Sequence, residues 1–359
     1  MRRLAIFLTI ICLLPALSGC AQASYEKYTY SFFGTFDTVI TIQGFAPSKE
    51  SFEQVTAKAQ EQFQAYHQMF DRYHAYEGVN NLYTLNHSAA KAPVQVPAPL
   101  FNLLSYGKRM YTETGGLVNI ALGAVLELWH DARDVADANP SDAYLPEMEK
   151  LKGASLNADI ADLVLDDDAQ TVFYANAALQ VDLGAVAKGY ATELVAQEML
   201  KSEVSSFYIN AGGNVRVGHA PMDGRKNWGI GIQDPDGMVM TDANSDILEV
   251  LFLHNTSVVT SGDYQRFFML DGKRYHHIVS PQTLMPSDHM RSVTVITEDS
   301  GYADLLSTAL FLMPYEEGRA YVDGLDGVEA LWVLNDRTVH MTEGLQQSAR
   351  SLGASNPAN

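Results

Sequence analysis

The sequence predicts an α+β fold of mixed, largely antiparallel sheets with packed helices. Three observations lead there. β-type segments crowd together from Phe207 to Thr260 rather than alternating with helices. Asp271-Gly272 lies between two more of them, Phe267–Leu270 and Tyr275–Val279, and a two-residue hairpin turn needs positive φ at both such positions. No linker or fixed-period repeat interrupts the chain from Phe32 to about Gly344. Strands in runs, joined by hairpins, argue against a doubly wound parallel sheet.

The elements follow in order. Phe32 to Ile42 is β-rich, with β-branched residues alternating from Thr38. Helices are expected over about Ser51–Met69 and Pro99–Thr114, the second halted by Gly115-Gly116. Residues 131–170, with aspartates at 131–142 and 166–168, read as an irregular acidic surface excursion. A strand over Ala178–Leu183 and a helix over Val186–Leu200 come next. Strands are then expected at Phe207–Asn210, Asn214–Gly218, Trp228–Gln233, Ile247–Phe252 and Ser257–Thr260, before the hairpin. A helix from Gly301 to Met313, stopped by Pro314, and strands at Val328–Leu334 and Thr338–Met341 close the chain.

Composition excludes several function classes. The 359 residues carry a formal charge of −19, with 24 basic residues against 43 acidic ones. Such a surface is a poor match for nucleic acid or anionic lipid. An anionic substrate would need a locally positive reception site.

Residues 1–19 read as a signal peptide: Arg2 and Arg3, an apolar run from Leu4 to Leu17, then small residues. As a helix that run rises only about 21 Å, too short for a membrane core of roughly 30 Å. Leu17-Ser18-Gly19-Cys20 resembles a bacterial lipobox, in which the cysteine is acylated. Cys12 and Cys20 are the two cysteines of the chain, so the processed protein has no thiol for a disulfide, a zinc site or a nucleophile. The expected organisation is a tether over 20–30, one domain over 31–345 and a flexible tail over 346–359. The expected location is the cell envelope, lipid-anchored and facing the periplasm or exterior.

Four segments could carry chemistry. In Asp182-Leu183-Gly184-Ala185-Val186-Ala187-Lys188 a glycine turn opens a helix with a lysine in its first turn. Helix N-termini receive anions, although the same lysine would serve as a surface residue. Asp304 and Thr308 stand at i and i+4, on one helix face. Two hard oxygens there suit Mg²⁺, which completes its octahedron with water and phosphate; helix capping and back-bonding are the competing roles. His276-His277 lies on a strand, where neighbours face opposite ways, so one histidine at most meets a pocket. His67, His74 and His130 lack partner spacing and receive no role. The fourth segment, Asn210-Ala211-Gly212-Gly213, offers either a close backbone approach to a flat ligand or a tight turn.

Taken together and in this order, these segments resemble the ApbE family of FAD:protein FMN transferases. The resemblance spans about Phe32 to Gly344. It includes Phe33-Gly34-Thr35, Gly115-Gly116, Asp182 through Ala191, Asn210 through Gly213, Ser261-Gly262-Asp263-Tyr264, His277 through Pro281, and Ala303 through Thr308. It implies an ApbE-like, T-fold-like architecture and Mg²⁺-dependent transfer of FMN from FAD to a Ser or Thr hydroxyl of an acceptor flavoprotein, releasing AMP. The implied acceptor belongs to an extracytoplasmic electron-transfer complex. The implied metal ligands are the carbonyl oxygen of Ala185 and the side chains of Asp304 and Thr308. FAD contacts fall on Phe33, Gly34, Tyr73, Leu117, Val118, Asn119, Asp182, Lys188 and Ile278, and the general base falls on His277. The chain departs from the family at Asn119 (commonly Asp), at Ser280 (Asp or Asn), and at Gln282-Thr283-Leu284 (often Arg-Thr-Gly). Two alternatives use the same site: an FAD pyrophosphatase, and a lipoprotein that binds FAD without chemistry.

Overall fold

The computed structural model describes residues 24–237 and 246–358; the signal segment and Cys20 lie outside the described residues. Strands β1 (Glu26–Thr35) and β2 (Thr38–Ala46) form a hairpin. Its turn, Phe36-Asp37, has φ of 53° and 51°, the left-handed pair that a two-residue hairpin demands. Helix α1 (Lys49–Phe70) follows, capped by Ser48, whose side chain accepts from Ser51 N at 3.1 Å. Its buried Phe52, Thr56, Ala59, Phe63 and Phe70 make one face. Then come α2 (Leu82–Ser88), β3 (Val94–Gln95), α3 (Ala98–Glu113), α4 (Gly123–Ala138), α5 (Met148–Ser155), β4 (Leu163–Asp166), β5 (Thr171–Tyr174) and α6 (Ala187–Leu200). Strands β6 (Phe207–Ala211), β7 (Asn214–Val217), β8 (Trp228–Gln233), β9 (Ile247–Leu253) and β10 (Thr256–Gly262) form the next run. The hairpin β11 (Phe267–Leu270) and β12 (Lys273–His276), then β13 (Met290–Thr297), α7 (Ser300–Phe311), α8 (Tyr315–Asp323), β14 (Glu329–Leu334), β15 (Val339–Met341) and α9 (Glu343–Gln346) complete the order.

Eight strands form one antiparallel sheet in the order β1-β2-β6-β7-β10-β13-β14-β15. Alternation assigns neighbouring residues to opposite cores. Val259, Val295 and Trp332 pack with α1, α3, α6 and α7, whereas Val258, Ile296 and Leu331 pack with the β8–β9 ribbon. A third cluster joins α4 to the β11–β12 region through Trp129, Phe268, Val279 and Leu284. Trp129 also donates its indole N–H to the Leu284 carbonyl at 3.0 Å. Among the described residues, no helix is long and apolar enough to cross a membrane.

The structure corrects several expectations. Residues 131–138 continue α4, because Ala132 and Ala136 extend the buried face of Val125 and Trp129. Leu179, Val181 and Leu183 are buried as a strand's residues would be, yet they join no sheet. The Asn86 side chain takes the place of a partner strand, accepting from Val181 N and donating to Val181 O, both at 3.0 Å. Residues 290–297, not expected as a strand, form β13 inside the eight-stranded sheet. With both faces covered, β13 loses the alternation that marks a strand. Residues 26–30, expected in a tether, pair with 42–46. The expected flexible tail is tied down: Ser351 N donates to Glu249 at 3.2 Å, and Asn356 Nδ2 to the Asn227 carbonyl at 2.6 Å. Glu249 is buried and needs the donors of Ser351, its N–H and its hydroxyl.

Candidate active site

A cleft of about 1020 Å³ is bordered by residues of the sheet and of β8, by the start of α6, by α7, and by α4 and the β11–β12 hairpin. Eleven of the residues singled out in the sequence line it: Tyr73, Leu117, Val118, Asn119, Asp182, Ala185, Lys188, His277, Ile278, Asp304 and Thr308. Phe33 and Gly34 do not. Phe33 is 83% exposed, and Gly34 lies where the β1–β2 register shifts. The hairpin reaches the cleft instead through its turn, Phe36 to Thr38.

One end of the cleft is built where α6 meets α7. Asp299 caps α7 by accepting from Tyr302 N at 2.8 Å. Asp304 follows within the helix, and its Oδ2 accepts from Gly189 N at 2.7 Å. Burial raises the Asp304 pKa against the opposing pull of Lys188. Burial lowers the Lys188 pKa, Asp304 opposes that, and the charge of Arg266 adds to it. The carboxylate and ammonium are thus electrostatically linked in a confined space. Thr308 stands one turn on, its hydroxyl 3.4 Å from the Asp304 carbonyl.

These residues fit a divalent cation by their chemistry. Asp304, Thr308 and the Ala185 carbonyl border one cavity and offer only hard oxygens, beside a buried carboxylate that burial disfavours in its charged form. No group of three or more His, Cys, Asp or Glu able to hold a metal occurs among the described residues. A single-carboxylate set of this kind suits Mg²⁺ far better than zinc.

The histidines stand at the end of β12. His276 is buried, its Nε2 lies 2.6 Å from the Ser287 carbonyl, and its ring meets Phe311 edge-on. Both histidines border the cleft, against the expectation that one at most would: His277 lies just past the end of β12, where strand alternation no longer applies, and is exposed there. Its Nδ1 lies 3.3 Å from the Arg266 carbonyl, which can only accept, so the proton belongs on Nδ1 and the Nε2 lone pair is free. The enclosing walls, then the charge of Arg266, push its pKa down to about 3, keeping the ring neutral.

Asp182 is held rather than free. Arg72 donates to it at 2.6 Å and also pairs with Glu127, while Gly184 N donates to it at 2.7 Å. Burial raises the Asp182 pKa, but the Arg72 charge and these hydrogen bonds bring it below the usual carboxylate range. Asn119 is tied to Ala158 O and Ala121 N through its amide. Ser280 accepts from Gln282 N and Thr283 N, the turn-closing service an Asp or Asn would give.

Sequence reasoning missed Arg72, Arg266, Arg133 and two histidines. His67, set aside above, borders the cleft and accepts from Phe36 N at 3.3 Å. His130, also set aside, lies 3.1 Å from the Tyr73 hydroxyl and 2.6 Å from Arg133. Nothing in the spacing of Arg72 reveals a partner 110 residues away.

The model of the ApbE family matches residues 36–332. The chain belongs to the ApbE family. An FAD:protein FMN transferase of Treponema pallidum is 31% identical, over 96% of this chain and 95% of its own. Another of Klebsiella pneumoniae is 32% identical, over 71% of this chain and 75% of its own. Among solved structures, the ApbE protein from Thermotoga maritima aligns with a TM-score of 0.77 at 26% identity, covering 90% of this chain and 99% of that one. The flavin transferase ApbE from Vibrio cholerae shares the fold, with a TM-score of 0.73 at 21% identity, covering 90% of this chain and all of that one. The ApbE fold is therefore the α+β architecture expected from the sequence.

Proposed function

We propose that the protein is an enzyme that transfers FMN from FAD to a Ser or Thr hydroxyl of an acceptor flavoprotein, releasing AMP, with Mg²⁺ as its cofactor. The observation that carries this reading is a single cleft that holds Asp304 beside Lys188 together with a neutral His277. Ala185, Asp304 and Thr308 are the residues that would hold the metal. When bound, Mg²⁺ neutralises diphosphate charge and orients the phosphate under attack.

Lys188 meets the diphosphate at the first turn of α6, where the helix N-terminus already favours an anion. That local field answers how so acidic a chain receives a dinucleotide. Tyr73, Leu117 and Ile278 supply apolar and aromatic lining for the flat rings of FAD. Nε2 of His277 takes the proton of the acceptor hydroxyl as that oxygen bonds to the phosphorus on the FMN side. The bond from that phosphorus to the AMP oxygen breaks. Positioning and charge neutralisation dominate such transfers.

At the N-terminus we place acylation on Cys20, which anchors the enzyme in the cell envelope beside an extracytoplasmic electron-transfer acceptor. The lipobox-like sequence supports this reading. Incubation with FAD, Mg²⁺ and a recombinant apo-flavoprotein, followed by intact mass and AMP assay, tests the activity. Acceptor mass rising by one FMN, with one AMP per event, is expected. Rapid FMN release without acceptor labelling would replace it with the pyrophosphatase reading, and tight FAD binding without AMP with the storage reading.

A further inference from the structure

Four basic side chains line the cleft: Arg72, Arg133, Lys188 and Arg266. Three are engaged. Arg72 is paired with Asp182 and Glu127. Arg133 bonds His130 and lies 3.9 Å from Asp134. Lys188 reaches the Gly212 carbonyl at 3.4 Å and opposes Asp304. The Arg266 guanidinium has no hydrogen-bond or ion-pair partner among the described residues, in a chain whose acidic residues outnumber its basic ones 43 to 24. It lines the same cleft as Lys188 and His277.

The backbone of the same residue builds the base. His277 N donates to the Arg266 carbonyl at 3.1 Å, and His277 Nδ1 lies 3.3 Å from that oxygen. One residue thus fixes the imidazole by its carbonyl and sends an uncompensated cation into the same cleft. A cation left without a protein partner beside a general base is suited to an anion that arrives with the substrate.

Resting on the transferase reading, we infer that Arg266 is a catalytic residue whose guanidinium contacts the phosphoryl group in transit between AMP and the acceptor oxygen, while its carbonyl fixes the His277 tautomer. The acceptor O–P bond forms, the P–O bond to AMP breaks, the hydroxyl proton passes to His277 Nε2, and AMP leaves with the bonding electrons. Arg266 exchanges no atom. It offsets the negative charge spread over the phosphoryl oxygens, the task that guanidinium forks perform in phosphoryl transfer.

Wild type, Arg266→Gln and Arg266→Lys are compared with FAD, Mg²⁺ and a recombinant apo-flavoprotein acceptor. AMP release gives the rate, flavin fluorescence the FAD affinity, and circular dichroism the folded state. Arg266→Gln is expected to lower kcat by about 10²-fold or more while weakening FAD binding far less. Arg266→Lys is expected to recover part of the rate, as a point charge without the fork. A structural role would leave the pH profile unmoved. Here the acid limb of kcat/KM shifts to higher pH in Arg266→Gln, because Arg266 no longer disfavours the imidazolium; His276 and Arg133, the other groups facing His277, remain. If Arg266→Gln transfers FMN at the wild-type rate, or loses only FAD affinity with its pH profile unmoved, the inference is overturned. Should Arg266→Gln fail to fold, Arg266→Lys decides: wild-type rate and profile there would equally reject a guanidinium contact. Wild type that makes no AMP in the presence of acceptor refutes the transferase reading itself, a separate result.

Discussion

The backbone N–H of Gly189 donates to Asp304 Oδ2 at 2.7 Å, tying the first turn of α6 to α7. A Cβ at position 189 would stand 2.4 Å from Asp304 Cβ and 2.4 Å from the Ser300 carbonyl. The glycine is required by this close approach, since its φ is not in the left-handed region. Gly189→Ala should force the helices apart, destabilise the fold by about 1–3 kcal/mol and raise the Mg²⁺ concentration needed for activity. Thermal melts and a Mg²⁺ titration check both; an unchanged titration would sever the link between this contact and the metal.

Asp304→Asn keeps the shape and removes the charge. Half-saturation by Mg²⁺ should rise by about tenfold or more, as loss of a ligand or of its support commonly does. The Lys188 pKa should fall further, since Asp304 is what holds it up. Isothermal titration with Mg²⁺ in the presence of FAD measures the first effect, and equal affinities in the two proteins would count against Asp304 as a ligand.

His277→Ala should fold and bind FAD as wild type does, because the ring is exposed and its polar contact among the described residues is the Arg266 carbonyl. Labelling of the acceptor should drop by about 10²–10⁴-fold. In-gel flavin fluorescence of the denatured acceptor reads it out, and labelling at the wild-type rate would remove His277 from the base role.

Arg72 and Asp182 have side chains 6% and 10% exposed and lie 2.6 Å apart. Removing one partner of such a pair leaves a buried charge, so Arg72→Met should cost about 3–5 kcal/mol. The Asp182 pKa is depressed in the folded state, so its contribution is present above the unfolded carboxylate value, near 3.9, and fades as pH falls through the folded one. Urea unfolding at pH 7 and at about pH 3 should therefore show wild type losing much of its advantage over Asp182→Asn. An advantage independent of pH would mean the pair acts by packing alone.

How much of this was legible in the chain varies with the range of the contacts involved. The hairpin at Asp271-Gly272, the start of α6 and the i, i+4 spacing of Asp304 and Thr308 are local, and the sequence places them correctly. The Phe36-Asp37 turn escaped notice because neither residue is glycine, although both adopt positive φ. β13 escaped because a strand covered on both faces does not alternate. The segment Leu179–Leu183 looks like a strand and is buried like one, but its hydrogen bonds go to the Asn86 side chain and to the backbone of Ile120 and Gly123, which no local pattern foretells.

By itself, then, the sequence determined the strand-rich order, the glycine turn before α6 and the oxygen pair on α7. Those are consequences of backbone period and turn stereochemistry, which act over a few residues. Only the tertiary structure decided that Arg72 is spent on Asp182, that His130 belongs with Tyr73, and that the Arg266 carbonyl meets the His277 ring. Charges act through space at separations unrelated to their distance along the chain, so which of the cleft's cations pair with which acids emerges only once the chain has folded.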